Sequence, residues 1–235
     1  NNYRNRGDIA LFNQKGFMLK PGDLPKSIFE LTDPKWQGKV ALAYPLFGTT
    51  ATHAAALFAN LGDEKAKEYY QKLKTNKIML TDGNASARDR VADGTVPIAF
   101  TDTDDAFVSI QEGKPVNIIW PDKEGMGTLL IPNTVALVKG GPNPEAAKKL
   151  IDFLLSPKVE EMLANCESGQ IPLRNSAKRP FHVPTLGDVK AMQVDYEKVA
   201  DLMEPSGLMV EMNTFTVRES NHFLNLRQFC VSLQW

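Results

Sequence analysis

VPIAFTDTDDA, residues 96–106, is the stretch on which the reading of this chain turns. Its first half is a short apolar run of the kind buried inside a sheet, and residues 106–112 carry amphipathic helical spacing closed by Gly113. Thr101, Asp102, Thr103, Asp104 and Asp105 then lie after a strand and before a helix. Open α/β sheets gather their ligands at that edge. Carboxylates this close repel one another, so a cation or several hydrogen-bond donors are expected beside them. Helix capping by Thr and Asp accounts for the same residues. The segment alone leaves both roles open.

The same rhythm extends outward. Residues 39–44 read as a strand, 50–60 as an Ala-rich helix, 63–75 as a charged helix and 78–80 as a strand. A short helix over 86–93, the strand 96–100, the helix 106–112 and a strand over 116–120 follow. This βαβα order predicts an α/β fold with a mainly parallel sheet. Beyond Gly125 and Gly127, residues 128–139 read as a long strand interrupted by Pro132. Asn143-Pro144-Glu145 and Ser156-Pro157 are helix starts, with a capping residue followed by proline at the first helical position. Those helices are expected to reach about residues 155 and 165, and a late helix is expected over 188–203. From Glu211 the chain has no clear period, and no structure is assigned there.

Composition narrows the function classes. With 235 residues, 43% hydrophobic and 23% charged, the chain has ordinary globular proportions and room for one core or two small ones flanking a cleft. A formal net charge of -1 lacks the basic stripe of a nucleic-acid binder. No apolar run reaches the about eighteen residues of a membrane-spanning helix, and no basic-then-apolar leader stands at Asn1. Cys166 and Cys230 are too few and too far apart for a metal or redox motif, and their pairing is left open. His53, His182 and His222 have no metal-ligand spacing, and neither a nucleophile elbow nor a phosphate loop is present.

Two other loops join the first. PLFGTTAT, residues 45–52, links a strand to a helix; Gly48 permits close backbone approach, and Thr49 and Thr50 stand where free helix N–H groups point outward. DGNAS, residues 82–86, also precedes a helix and offers the Asn84 amide. Capping and turn formation explain each loop by itself. In a parallel sheet, however, all three emerge on one edge. Gly48, Thr49, Thr50, Asn84, Thr101, Asp102, Thr103 and Asp104 are therefore the candidate ligand-binding residues. Asp102 and Asp104 are the candidate metal ligands, since hard cations favour oxygen. Donors facing carboxylates suit a metal held with an anion, or a small zwitterion. The rival reading is a small α/β hydrolase or transferase with Asp102 or Asp104 as general base, but no positioned nucleophile is visible. A non-binding interaction module is a third.

LPKSIFELTDPKWQGKVA (24–41) resembles the LP-x-S-x-x-DL-x-DP-x-W-x-G-K-V segment of extracellular solute-binding proteins of ABC importers, in the branch that contains ferric-ion-binding proteins. PNTVALVK (132–139), PEAAKKLIDFLLS (144–156) and QIPLR (170–174) continue the likeness in order. The resemblance implies a type II periplasmic-binding fold of two lobes with mainly parallel sheets. It implies no enzymatic step, a membrane ABC permease as partner, and a periplasmic or extracellular location. Complete members carry a longer stretch ahead of the matching segment, so the first lobe is expected to be incomplete. The expected division is 15–125 as one lobe, 126–178 as part of the other, and 179–235 packing back on the first, with crossovers near 12–14 and 125–130. Iron-binding relatives place a tyrosine pair where this chain has Thr103 and Asp104, while the loops at Gly48–Thr49 and Asn84 match by role. The ligand the resemblance implies is ferric ion with a synergistic anion; the Asp-rich turn facing a helix end suits a small phosphonate or amine zwitterion equally well.

Overall fold

In a computed structural model, residues 2–13 and 19–213 are described. Five strands line up in the order β3-β2-β4-β1-β5: Met79–Thr81, Val40–Ala43, Ile98–Asp102, Asn2–Asn13 and Val116–Ile119. β2 runs parallel to β3 and β4, whereas β1 is antiparallel to β4 and β5. Strands β2 to β5 thus share one direction and β1 opposes them, in keeping with the mainly parallel sheet expected.

Alternation along the two central strands makes two packed layers. Val40, Leu42, Ile98 and Phe100 face α1 (Gly48–Leu61) and α2 (Asp63–Thr75), where they pack with Leu57, Phe58 and Tyr70. Ala41 and Ala99 face the other way, with Ile9 and Leu11, against Ala87 and Val91 of α3 (Asn84–Ala92) and Ala106 of α4 (Thr103–Gln111). Small alanines on that face let α3 and α4 approach the sheet closely. Gly62 ends α1 with φ +79°, a left-handed conformation that glycine adopts without strain. Its successor α2 opens with Asp63 and Glu64 and closes with Lys72 and Lys74, as the helix dipole favours.

β1 has no counterpart in the sequence reading, because its first half, NYRNRG, is polar and lacks an apolar run. It changes neighbours between Gly7 and Asp8. Asn2 to Gly7 pair with β6 (Leu130–Thr134), and Asp8 onward pairs with β4 and β5. The 12–14 crossover expected falls partly on residues 14–18, which are outside those described. The long strand expected over 128–139 is confined to β6; Pro132 pairs within it opposite Asn5, and the chain past Thr134 is exposed and irregular.

Gly127 sits at φ +90°, and a Cβ there would lie 2.7 Å from the Lys190 oxygen and the Ala191 carbonyl carbon. Thr128 forms a bridge to Ala191 at this close approach, with Thr128 N–H donating to Lys190 O and Met192 N–H to Thr128 O, both at 2.8 Å. That bridge displaces the last helix from the expected 188–203 to α7, Tyr196–Asn213. Asp188 instead closes a turn, accepting from the Thr185 N–H and hydroxyl, each at 2.7 Å. α7 packs on α1, with Val199 buried beside Ala55 and Ala56 and Lys198 Nζ donating to Ala59 O at 2.8 Å. The irregular tail read from Glu211 falls mostly on residues 214–235, which lie outside those described, as do His222 and Cys230. Cys166 Sγ donates to Leu163 O at 3.0 Å.

α5 (Pro144–Leu154) and α6 (Pro157–Ala164) start where proline at the first helical position predicts. Ser156 caps α6 at Val159 N–H. Glu160 of α6 is 2% exposed and accepts from Leu173 N–H at 2.6 Å, Arg174 N–H at 3.0 Å and Arg174 Nη1 at 2.5 Å. A buried carboxylate so engaged ties the QIPLR segment to α6.

Candidate functional site

Three strand-to-helix turns meet at the carboxyl ends of β2, β3 and β4, and α1, α3 and α4 begin there. All three begin earlier than expected, α1 at Gly48 rather than Thr50. α3 starts at Asn84 rather than Ser86, after Gly83 in extended conformation (φ -173°, ψ 174°), so Ser86 is not its cap. α4 starts at Thr103 rather than Ala106, because Asp102 (φ -116°, ψ 168°) still belongs to the strand. Asp104 and Asp105 therefore occupy the first turn of α4, where the helix dipole favours acids. α1 starts at Gly48, whose φ of +59° requires glycine; a Cβ there would meet nothing within 4 Å, so the requirement is conformational.

The side chains of the three turns form one network. Thr49 Oγ1 donates to Asp102 Oδ2 at 3.0 Å, and Asn84 Nδ2 donates to the same oxygen at 2.8 Å. Asn84 Nδ2 also reaches Thr49 Oγ1 at 2.5 Å, and Thr50 Oγ1 donates to Asn84 Oδ1 at 2.8 Å. Thr101 Oγ1 donates to the Asn84 carbonyl at 3.3 Å. Thr101, Asp102 and Thr103 are buried, and Asp104 is half-buried. The convergence expected from the three loops is thus present for Thr49, Thr50, Asn84, Thr101 and Asp102.

The compensation expected for the carboxylates is also present, and it is divided. Asp102 is served by Thr49 and Asn84, while Arg88 Nη1 of α3 pairs with Asp105 at 3.1 Å. Sequence reading missed Arg88; its place one turn after Asn84 on the same helix was the available signal. Burial by itself raises the Asp102 pKa, but hydrogen bonds with Asp104, Asn84, Asp105 and Thr49 outweigh it and hold the carboxyl below its ordinary value.

None of α1, α3 and α4 has a side-chain cap, but α1 and α3 differ from α4 in having no acid in the first turn. Their first-turn N–H groups and positive dipole ends lie side by side, joined through Thr50 and Asn84, which is a favourable setting for an anion. Among the described residues, no group of three or more His, Cys, Asp or Glu side chains is arranged to hold a metal ion. His53 is buried in α1 with its ring edge-on to Phe100, centroids 4.8 Å apart, a packing role. Tyr69 and Tyr70 are buried in the core with α2, away from this edge.

The match to a family model covers residues 11–200, most of the chain, and its description is bacterial extracellular solute-binding protein. The chain belongs to that family. It is 26% identical to iron uptake protein A1 of Synechocystis over 87% of its own length and 58% of the relative's. It is 29% identical to a candidate 2-aminoethylphosphonate-binding periplasmic protein of Salmonella typhi, over 70% of this chain and 49% of that one. The chain thus spans about half the length of these curated relatives. A ferric binding protein from Campylobacter jejuni superimposes with TM-score 0.78 at 20% identity, covering 90% of this chain and 69% of the other. That likeness establishes the periplasmic-binding-protein fold.

Proposed function

We propose that this family member is the solute-binding component of an ABC importer, acting in the periplasm or outside the cell and handing its solute to a membrane permease. It is read as a binder and not an enzyme. The solute is a small phosphonate- or phosphate-bearing zwitterion whose anionic group lies at the N-termini of α1 and α3. The observation that carries this reading is the pair of adjacent helix starts without side-chain caps or first-turn acids. Such termini hold an oxyanion through backbone N–H groups, with no basic side chain required. A fold of this kind acts by closing around its ligand, which stabilises a closed state already in equilibrium with an open one. In this reading residues 15–125 form the anion-holding lobe, 126–178 contribute to the other, and 179–235 return to the first.

The phosphonate is preferred to ferric ion because Thr103 and Asp104 stand where the resemblance placed tyrosines. Asp102 Oδ2 already accepts two internal hydrogen bonds. The same engagement argues against Asp102 as the general base of an enzyme. Ferric ion held with an anion at the same two termini is the second reading, favoured by the name of the iron uptake relative.

The test is amide hydrogen exchange with 2-aminoethylphosphonate, inorganic phosphate, and ferric ion with phosphate as separate probes. Binding of the phosphonate should protect amides 48–51 and 84–87. Protection only with ferric ion present would transfer the reading to iron. No protection of these amides by any probe would overturn it.

A further inference from the structure

We infer that Asp102 is a positioning residue: it fixes the spacing between the N-termini of α1 and α3 by accepting from Thr49 and Asn84, and it does not touch the solute. This rests on the preceding reading that the anion lies at those two termini. Thr49 has one hydroxyl hydrogen, and it goes to Asp102 Oδ2. Asn84 has two amide hydrogens, which reach Asp102 Oδ2 and Thr49 Oγ1. The Thr50 hydroxyl hydrogen goes to Asn84 Oδ1. Every side-chain donor of the Thr49–Thr50–Asn84 cluster is therefore engaged inside the network. Recognition of an anion is left to the backbone N–H groups that the network holds in place.

Asp102 is where the helix starts are joined to the sheet. It is the last residue of β4, 2% exposed, and its Oδ2 accepts from both α1 and α3. With no side chain accepting there, the Thr49 hydroxyl and the Asn84 amide would each turn to another acceptor, and the two helix starts would shift relative to each other. A backbone anion site tolerates little such movement, because its donors must converge on one group.

What the network needs from residue 102 is an acceptor, not a charge. An asparagine can place its carbonyl oxygen where Oδ2 stands and its amide toward Asp104 and Asp105, which hydrogen-bond to Asp102. An alanine supplies neither. Substitution therefore separates positioning from direct contact, since a carboxylate gripping an ammonium group or a metal cannot be replaced by a neutral amide.

The experiment measures affinity for 2-aminoethylphosphonate and for inorganic phosphate by calorimetry in wild type, Asp102→Asn, Asp102→Ala, Thr49→Val and the Asp102→Ala/Thr49→Val double variant. Asp102→Asn should stay within about threefold of wild type for both probes, well under one hydrogen bond to a charged group. Asp102→Ala and Thr49→Val should each weaken both probes about tenfold, and the double variant no further than the worse single one, as coupled residues do. Selective loss of 2-aminoethylphosphonate in Asp102→Asn, with phosphate retained, would overturn the inference and make Asp102 a ligand to the ammonium group.

Amide exchange without any probe tests the inference apart from the function. The amides of Ala51 and Ala87, which donate to Phe47 O and Gly83 O at the two helix starts, should exchange faster in Asp102→Ala and at the wild-type rate in Asp102→Asn. Unchanged exchange in Asp102→Ala, in a protein whose circular dichroism is native, would overturn the positioning role. If wild type binds none of the probes while the exchange pattern is as stated, the functional reading fails and the positioning role stands.

Discussion

α1 and α5 are both helices with apolar residues at helical spacing, yet the molecule treats them in opposite ways. α1 buries Thr50, Ala51, His53, Ala54, Ala55, Ala56, Leu57 and Phe58 between the sheet, α2 and α7. α5 buries none of its residues, and Leu150 and Phe153 are 56% and 53% exposed. Beside it, Val135, Leu137, Pro142, Ala147 and Ile151 line an open groove of about 310 Å³. An amphipathic pattern states that a face is suited to burial; what covers it is decided by other parts of the fold. The three turns of the candidate site belong to the covered region. The donors at the N-termini of α1 and α3 are held by helices whose bodies are locked in a core.

The strongest way to probe that contrast is to truncate matched leucines. Leu57 is fully buried in α1, so Leu57→Ala should cost about 2–5 kcal/mol, through lost transfer energy and the cavity left behind. Urea unfolding gives the value, and a loss under about 1 kcal/mol would mean that α1 packs far more loosely than its burial indicates. Gly127→Ala is the next largest. Its methyl would meet the backbone of Lys190 and Ala191 at a φ unsuited to alanine, costing about 1–3 kcal/mol. Faster exchange at the Thr128 and Met192 amides should accompany that loss, because those groups form the bridge.

Legibility in the sequence follows the same division. Strands β2 and β4 could be read because both their faces are covered, which produces the continuous apolar runs VALA and IAFT. The convergence of three loops followed from the parallel order alone. The starts of α1, α3 and α4 were misplaced by two, two and three residues; for α3 and α4 local capping preference pointed to Ser86 and to the Thr–Asp run. Hydrogen bonds across 18 and 35 residues, from Asn84 to Asp102 and Thr49, fix that arrangement instead. β1 could not be read because its place in the sheet is set by partners distant in sequence; Ile9 and Leu11 pack in the layer that faces α3 and α4. Arg88 and the Glu160–Arg174 pair escaped notice for the same reason: charged residues carry no period.

Acid sharpens the comparison from the side of the network. The Asp102 carboxyl is held below its ordinary value in the folded protein. A depressed folded pKa contributes stability that is fully present above the unfolded pKa, about 3.9 for Asp, and is lost as pH falls through the folded value. Wild type should therefore lose stability below about pH 4 more steeply than Asp102→Asn, which keeps an acceptor there but binds no proton. Urea unfolding of both proteins between pH 3 and 6 reads the difference, for which about pH 4 is the expected point of divergence. Parallel curves would mean that Asp102 has the same affinity for protons folded and unfolded.

The smallest effect is expected on the open face. Leu150→Ser removes a side chain of the same size as Leu57 from a helix of comparable length. In this chain that side chain already lies mostly in water, so little transfer energy and no cavity are at stake. What remains is helix propensity, for which serine is worse than leucine by a few tenths, so the cost should be about 0.5 kcal/mol or less. The same urea titration that ranks Leu57→Ala measures it. A loss above about 1.5 kcal/mol would break the comparison, since a change of that size at an exposed site needs one of the mechanisms that act only on covered groups. It would mean that α5 is covered in solution, and that the contrast with α1 is one of partners and not of burial.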